Sequence, residues 1–228
     1  MSVRLFGSAL SKAEKAGLTF RRRRFHLVLS LIDQVLSAQS KCRIVDIGGE
    51  PKYWTGMLDM LGSRSFHVTL VNRTTFALDD SRFTSVCGDA RSLPAMPDMC
   101  FDLVHSNSVI EHVGRWQDMQ SMAAEVRRLA PRYFVQTPYF WFPVEPHCMT
   151  ALFHWLPESV RLTMLMRRAR GHWGRAPDVS TAMEKIQSAV LLDCRMLSSL
   201  FQDATIYRER IYGLTKSLIA VRRTDPAG

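Results

Sequence analysis

Cys42-Arg43-Ile44-Val45-Asp46-Ile47-Gly48-Gly49-Glu50-Pro51 is the stretch that decides the fold. Its first six residues are short, rich in β-branched side chains and closed by a glycine pair, so they read as a buried strand. From Pro51 to Leu61 the period changes. Trp54, Met57, Leu58 and Leu61 fall at i, i+3, i+4 and i+7, the spacing of one helix face. Pro51 suits the first turn of that helix and Gly62 its end. The unit is strand, glycine turn, helix.

Outward from this unit the same alternation continues. Phe66–Val71, Thr84–Cys87, Phe101–His105 and Tyr133–Gln136 read as further strands, and Gln117–Ala130 as a helix stopped by Pro131. Before the unit, residues 8–17 look weakly helical up to Gly17, Arg21–Arg24 form a basic run, and Phe25–Gln39 has helical spacing of Leu27, Leu31 and Val35. After it, Cys194–Phe201 reads as a helix, and Ile206–Tyr212 and Ser217–Arg222 as two strands joined at Gly213. A turn that short permits only antiparallel pairing. Alternating strands and helices predict a parallel sheet covered on both faces, an α/β doubly wound fold. The chain is expected to be a single domain over 1–228, with an N-terminal helical segment at 1–40 and a mostly helical insertion at 140–190.

The 228 residues suffice for one ample core, and 46% are hydrophobic. No apolar run reaches the roughly 18 residues of a membrane span, and the first ten residues lack the apolar stretch of a secretory signal. The five cysteines are scattered and none has CxxC spacing, so a reduced, cytoplasmic protein without a disulfide framework or a metal site is expected. The net charge of +9 favours an anionic partner: a phosphorylated or acidic small molecule, nucleic acid, or an acidic membrane surface touched peripherally.

In such sheets ligands bind beyond the carboxyl ends of the strands. Those ends are Asp46-Ile47-Gly48-Gly49, Asn72, Gly88-Asp89-Ala90, Ser106-Asn107-Ser108 and Thr137-Pro138. The glycines allow close approach of a ligand, Asn72 can bond a pair of hydroxyls, and Asp89 beside the small Ala90 can meet an amino group on a ring. V-D-I-G-G, G-D-A-R-S-L-P and F-D-L-V-H-S-N-S-V-I-E-H-V resemble, in order, the motifs of class I S-adenosylmethionine-dependent methyltransferases. The resemblance covers roughly residues 40–138, and the closing helix and strand pair extend it to about 222. It implies a Rossmann-like sheet of seven strands, mostly parallel with the last one antiparallel, and S-adenosyl-L-methionine as cofactor. It also implies that Asp46, Gly48 and Gly49 serve the methionine part, Asn72 the ribose, Asp89 and Ala90 the adenine, with Asn107 at the fourth strand end nearby. The sequence departs from the family pattern at Glu50 and Lys52, where glycines are usual, and at Asn72, where an acid is usual.

For the acceptor, His147 with Glu145 to orient it, and His112 in Glu111-His112, are the candidate bases; each also has a purely structural reading. Tyr139 to Phe142, Phe153 and Trp155 either line an acceptor pocket or pack the insertion onto the sheet. Ser106-Asn107-Ser108-Val109 is not the signature of enzymes that methylate base amino groups. The expected acceptor is therefore a small molecule, lipid or glycan, with a nucleic-acid methyltransferase and a catalytically silent cofactor-binding module as the alternatives.

Overall fold

The computed structural model describes residues 12–223. Seven strands form one sheet: β1 (Cys42–Ile47), β2 (Phe66–Asn72), β3 (Phe83–Cys87), β4 (Leu103–Asn107), β5 (Tyr133–Pro138), β8 (Thr205–Ile211) and β9 (Leu214–Arg222). Their order is β3-β2-β1-β4-β5-β9-β8. The first five strands run parallel, and β9 lies antiparallel to both β5 and β8. This is the doubly wound, mostly parallel sheet the alternation predicts. The order reverses between β1 and β4, which are neighbours although β2 and β3 intervene in the chain. That switch point is where a crevice opens beyond the strand ends.

Period-two alternation sends side chains of each strand to opposite faces. Cys42 and Ile44 of β1 join a core on one face with Trp54, Phe66 and Phe134, under helix α1 (Lys12–Leu36). Val45 and Ile47 join a core on the other face, under α4 (Trp116–Leu129) and α7 (Cys194–Leu200). A buried ion pair ties α1 to the far edge: Arg24 donates to Glu209 on β8 at 3.2 Å, and Ser217 donates to the same oxygen at 2.7 Å.

Two expectations about helices need correction. The break at Gly17 is absent, and α1 runs unbroken through Arg21–Arg24 to Leu36. Arginine is a good helix former, and Phe25, Val28, Leu31 and Ile32 are all fully buried, so packing outweighs the roughly 1 kcal/mol that an interior glycine costs. The part of the expected 8–17 helix before Lys12 lies outside the described residues. The helix expected over Pro51–Leu61 is instead two pieces, α2 (Pro51–Thr55) and α3 (Leu58–Leu61), because Met57 leaves the helical region at φ −118°, ψ 1°. Trp54, Met57 and Leu61 still point inward, so the period held where continuity did not.

Between β5 and α7 lies the insertion. It holds the two-stranded β6 (Val144–Glu145) and β7 (Thr150–Ala151), then α5 (Glu158–Arg167) and α6 (Val179–Gln187). It carries its own small core of Phe153, Leu165, Ala182 and Ile186. It is pinned to the sheet by backbone bonds from Val190 to Glu111 (2.7 Å) and from Phe140 to Leu192 (2.9 Å).

The β8–β9 hairpin turns through Tyr212 and Gly213, both with positive φ. Tyr212 is 99% exposed, so its ring packs on nothing, while its backbone sits in the left-handed region at φ 49°. Asparagine is favoured there and tyrosine is not. Tyr212→Asn should raise stability by roughly 0.5–1 kcal/mol, read as a higher urea midpoint with unchanged slope; an unchanged or lower midpoint would show that the turn carries no such strain.

Candidate functional site

The end of β1 is organised by a buried carboxylate. Asp46 is 1% exposed. Its Oδ2 accepts from the Trp54 indole N–H at 2.7 Å and its Oδ1 from His105 Nδ1 at 2.7 Å. His105 in turn stacks flat on Phe134 and reaches the Tyr53 hydroxyl at 3.2 Å. Asp46 is thus bonded to the protein through both oxygens, and it fixes the turn while also lining the cavity beside it. A Cβ on Gly49 would lie 2.0 Å from Asp46 Oδ2, and one on Gly48, at φ +74°, would lie 2.4 Å from Val109. The glycine pair is required by the carboxylate below it and by the β4 loop beside it.

Two cavities adjoin at Gly48 and Ser108. The first, about 310 Å³, is lined by Arg21, Lys52, Gly49 and Asn107 among others. Asn107 Oδ1 is buried there without a hydrogen-bond partner, an acceptor held ready for a donor. The second, about 370 Å³, is lined by Asn72, Asp89, Ala90, Val109 and His112. Asn72 Nδ2 reaches the Gly49 carbonyl at 3.4 Å, and its Oδ1 accepts from the Arg73 N–H at 2.8 Å. Asp89 is held by Arg91, whose guanidinium donates to both of its oxygens; that pairing, with the Arg91 backbone N–H, lowers the Asp89 carboxyl to about 2.

The loop after β4 turns through Ser108, at φ 57°, into a single 3-10 turn, Ile110–His112. Consecutive residues of such a turn point about 120° apart. Glu111 therefore points inward, fully buried, where its Oε2 accepts from Thr137 at 3.0 Å and its Oε1 has no partner. Burial pushes the Glu111 carboxyl up to about 7. His112 points outward, and its Nδ1 donates to the Ser188 carbonyl at 2.8 Å. Burial pulls the His112 imidazole below its ordinary value.

The structure brings His147 to the same place. Glu145 Oε1 accepts from the His147 backbone N–H at 2.9 Å and from its Nδ1 at 2.6 Å, and His147 Nε2 lies 3.2 Å from His112 Nε2. Burial alone would lower His147; the Glu145 hydrogen bond and charge outweigh it and raise its pKa. The reading of Glu145 as the group beside His147 thus has a geometric counterpart. What spacing did not reveal is that His112 and His147, 35 positions apart, touch. His147, Phe140, Phe153, Trp173, Arg115 and Lys185 help to line a third cavity of about 720 Å³ beneath the insertion. Of the aromatics expected in a pocket, Phe140 and Phe153 line it, whereas Tyr139, Trp141, Phe142 and Trp155 do not, and Trp141 is 57% exposed.

A methyltransferase-domain family model matches residues 46–132, the span from Asp46 through α4. Over these residues the chain carries a methyltransferase domain. S-adenosylmethionine is accordingly its cofactor. Among solved structures, the magnesium protoporphyrin IX methyltransferase of Synechocystis, with bound S-adenosylhomocysteine, superposes at TM-score 0.54 and 11% identity, over 94% of this chain and 89% of that one. Phosphoethanolamine N-methyltransferase 2 of Haemonchus contortus, in complex with S-adenosylmethionine, superposes at TM-score 0.50 and 15% identity, over 85% of this chain and 43% of that one. A protein of Rhodobacter sphaeroides described as a putative zinc-dependent alcohol dehydrogenase superposes at TM-score 0.50 and 11% identity, over 90% of this chain and 98% of that one. At such identities the likeness shows the fold alone. No curated protein matches the sequence. No described helix is long and apolar enough to cross a membrane.

The methyltransferase turn rests on the Asp46 carboxylate. Trp54→Phe removes the donor to Oδ2 and leaves a buried charge under-satisfied. The change should cost about 1–3 kcal/mol or more, measured as a loss of urea stability; a loss below about 0.5 kcal/mol would show that the indole bond does not hold the turn.

Proposed function

We propose that this methyltransferase modifies a small acidic acceptor with an apolar body, seated in the cavity beneath the insertion. The observation that carries the reading is the position of the histidine pair. His112 lines the cavity that holds Asn72 and Asp89, His147 lines the cavity under the insertion, and the two rings meet at 3.2 Å. On this reading the pair stands between a cofactor side and an acceptor side.

The residues fit the cofactor. The unpaired Asn107 Oδ1 suits the ammonium of the methionine part, and Arg21 and Lys52 suit its carboxylate. Gly48 and Gly49 present bare backbone to the same cavity. Asn72 is placed for ribose hydroxyls, and Asp89 beside Ala90 for the adenine amino group. When bound, S-adenosylmethionine supplies a methyl group already activated on a sulfonium. What remains for the protein is alignment and the exclusion of water, and alignment can supply much of the rate. Phe140, Phe153 and Trp173 give the acceptor cavity apolar walls, and Arg115, Arg161 and Lys185 outnumber Glu145 and Glu158 among its charged residues. A small molecule or a short lipid or glycan carrying an acidic group matches both. The net charge of +9 supports the same reading.

Asp89→Ala should weaken S-adenosylmethionine binding by about 1.5–3 kcal/mol, roughly 10- to 150-fold by calorimetry. S-adenosylmethionine should raise the melting temperature of the wild type where NAD does not. Unchanged affinity in the variant would remove Asp89 from the adenine site. The acceptor reading is tested by incubating the protein with labelled cofactor and a cell extract, then following the label by mass spectrometry. Label in a low-mass acidic product, and a large fall in its formation with His147→Gln, are the expected results. Label confined to nucleic acid or protein would overturn the reading.

A further inference from the structure

We propose that Glu111, His112 and His147 form a three-ligand site for a divalent first-row transition-metal ion at the junction of the two cavities. Cysteine spacing gave no reason to expect a metal, but the folded arrangement does. The ligand atoms of the three residues all lie within 4.8 Å of one another. The two imidazoles meet Nε2 to Nε2 at 3.2 Å. Two nitrogens bound at about 2.05 Å to one tetrahedral zinc are about 3.3 Å apart, so the pair is already at chelating distance.

The other ring nitrogens are committed. His112 Nδ1 faces the Ser188 carbonyl at 2.8 Å, and His147 Nδ1 faces Glu145 Oε1 at 2.6 Å. Both partners are acceptors, so each Nδ1 carries the proton. In neutral rings both Nε2 atoms then present lone pairs to each other, an arrangement that asks for a cation between them. A carbonyl and a carboxylate behind the outer nitrogen are also the usual supports of metal-bound histidine, because they fix the tautomer and the ring plane.

The third ligand is independent of this pair. Glu111 is fully buried, and its Oε1 has no hydrogen-bond partner although Oε2 has Thr137. An unmatched buried carboxylate oxygen is costly and is characteristically met by a cation. Two imidazoles and one carboxylate favour zinc, cobalt, iron or nickel over magnesium or calcium, which prefer oxygen ligands alone. Three protein ligands leave an open position. Since His147 lines the acceptor cavity, that position suits an acceptor oxygen, a hydroxyl or carboxylate. The assignment of that oxygen rests on the acceptor reading above; binding of the ion does not.

The test uses the full chain stripped with EDTA and titrated with Zn2+ by calorimetry and with Co2+ by visible absorption. One ion per chain is expected, with d–d bands of histidine-bound Co2+. His112→Ala and His147→Ala should each weaken binding by more than about tenfold, and Glu145→Gln by roughly 10- to 100-fold through the lost support behind His147. Circular dichroism of each variant confirms that it folds, and the wild-type titration alone can refute the site. Absence of Zn2+ and Co2+ binding to the wild type would overturn the proposal and leave a histidine pair that shares a proton. Equal binding by wild type and both alanine variants would overturn it too, placing the ion elsewhere, for instance at the exposed Cys87. Neither outcome touches the acceptor reading, which the label transfer tests separately.

Discussion

A charge taken out of water must be matched where it lies, and in this chain that charge is Asp46. It sits at the end of β1, at the point where the sheet order reverses, with one oxygen on the Trp54 indole and the other on His105. Those two bonds do different things. The first sets the start of α2 against the strand end, and the second locks β4 beside β1, with the His105 ring stacked on Phe134 of β5. Three parallel strands and a helix are thereby registered at one carboxylate. The glycine pair follows as a steric consequence, since any side chain at Gly49 would collide with Asp46.

Beside this carboxylate the cavity it lines also holds Asn107, one strand over, whose oxygen has no partner. Arg21 and Lys52, drawn from α1 and α2, bring positive charge to the cavity in place of further backbone glycines. The departures from the family pattern at Glu50 and Lys52 are consistent with that arrangement. The turn is held from beneath by a side chain, and the residues after it are free to be charged.

Much of the sheet was legible because strand signals are local. Ile44, Val45 and Ile47 carry their own alternation, and the motif residues follow each strand end by a fixed step along the chain. Helix continuity was less legible, because Gly17 and Gly56 are weak local signals whose outcome depends on packing. The long buried face from Phe25 to Val35 carries α1 as one helix, while the short α2–α3 segment breaks after Thr55. The contact of His112 with His147 was not legible. It depends on how the insertion closes over β5, and no periodicity crosses that segment. The Glu111-His112 dipeptide was a visible signal, but read alone it pointed to a base. The unpaired Glu111 oxygen and the facing rings appear only when the three residues are seen together.

That closure has a mechanical consequence. Glu111 accepts through its backbone carbonyl from Val190, and His112 donates through Nδ1 to Ser188, so one dipeptide holds the segment after α6 by two bonds. Its two side chains leave the turn in different directions, Glu111 beside Thr137 and His112 along the cavity of Asn72 and Asp89, while their ligand atoms stay within 4.8 Å of each other. A displacement of the insertion therefore cannot leave the histidine pair in place: movement at Ser188 pulls on His112, and movement at Glu145 pulls on His147. Loops that form an acceptor cavity are ordinarily the more mobile part of such a fold. Here their position is coupled by hydrogen bonds to the two rings that divide the cavities. If an acceptor seats under the insertion as proposed, these bonds couple its seating to the alignment of the two rings.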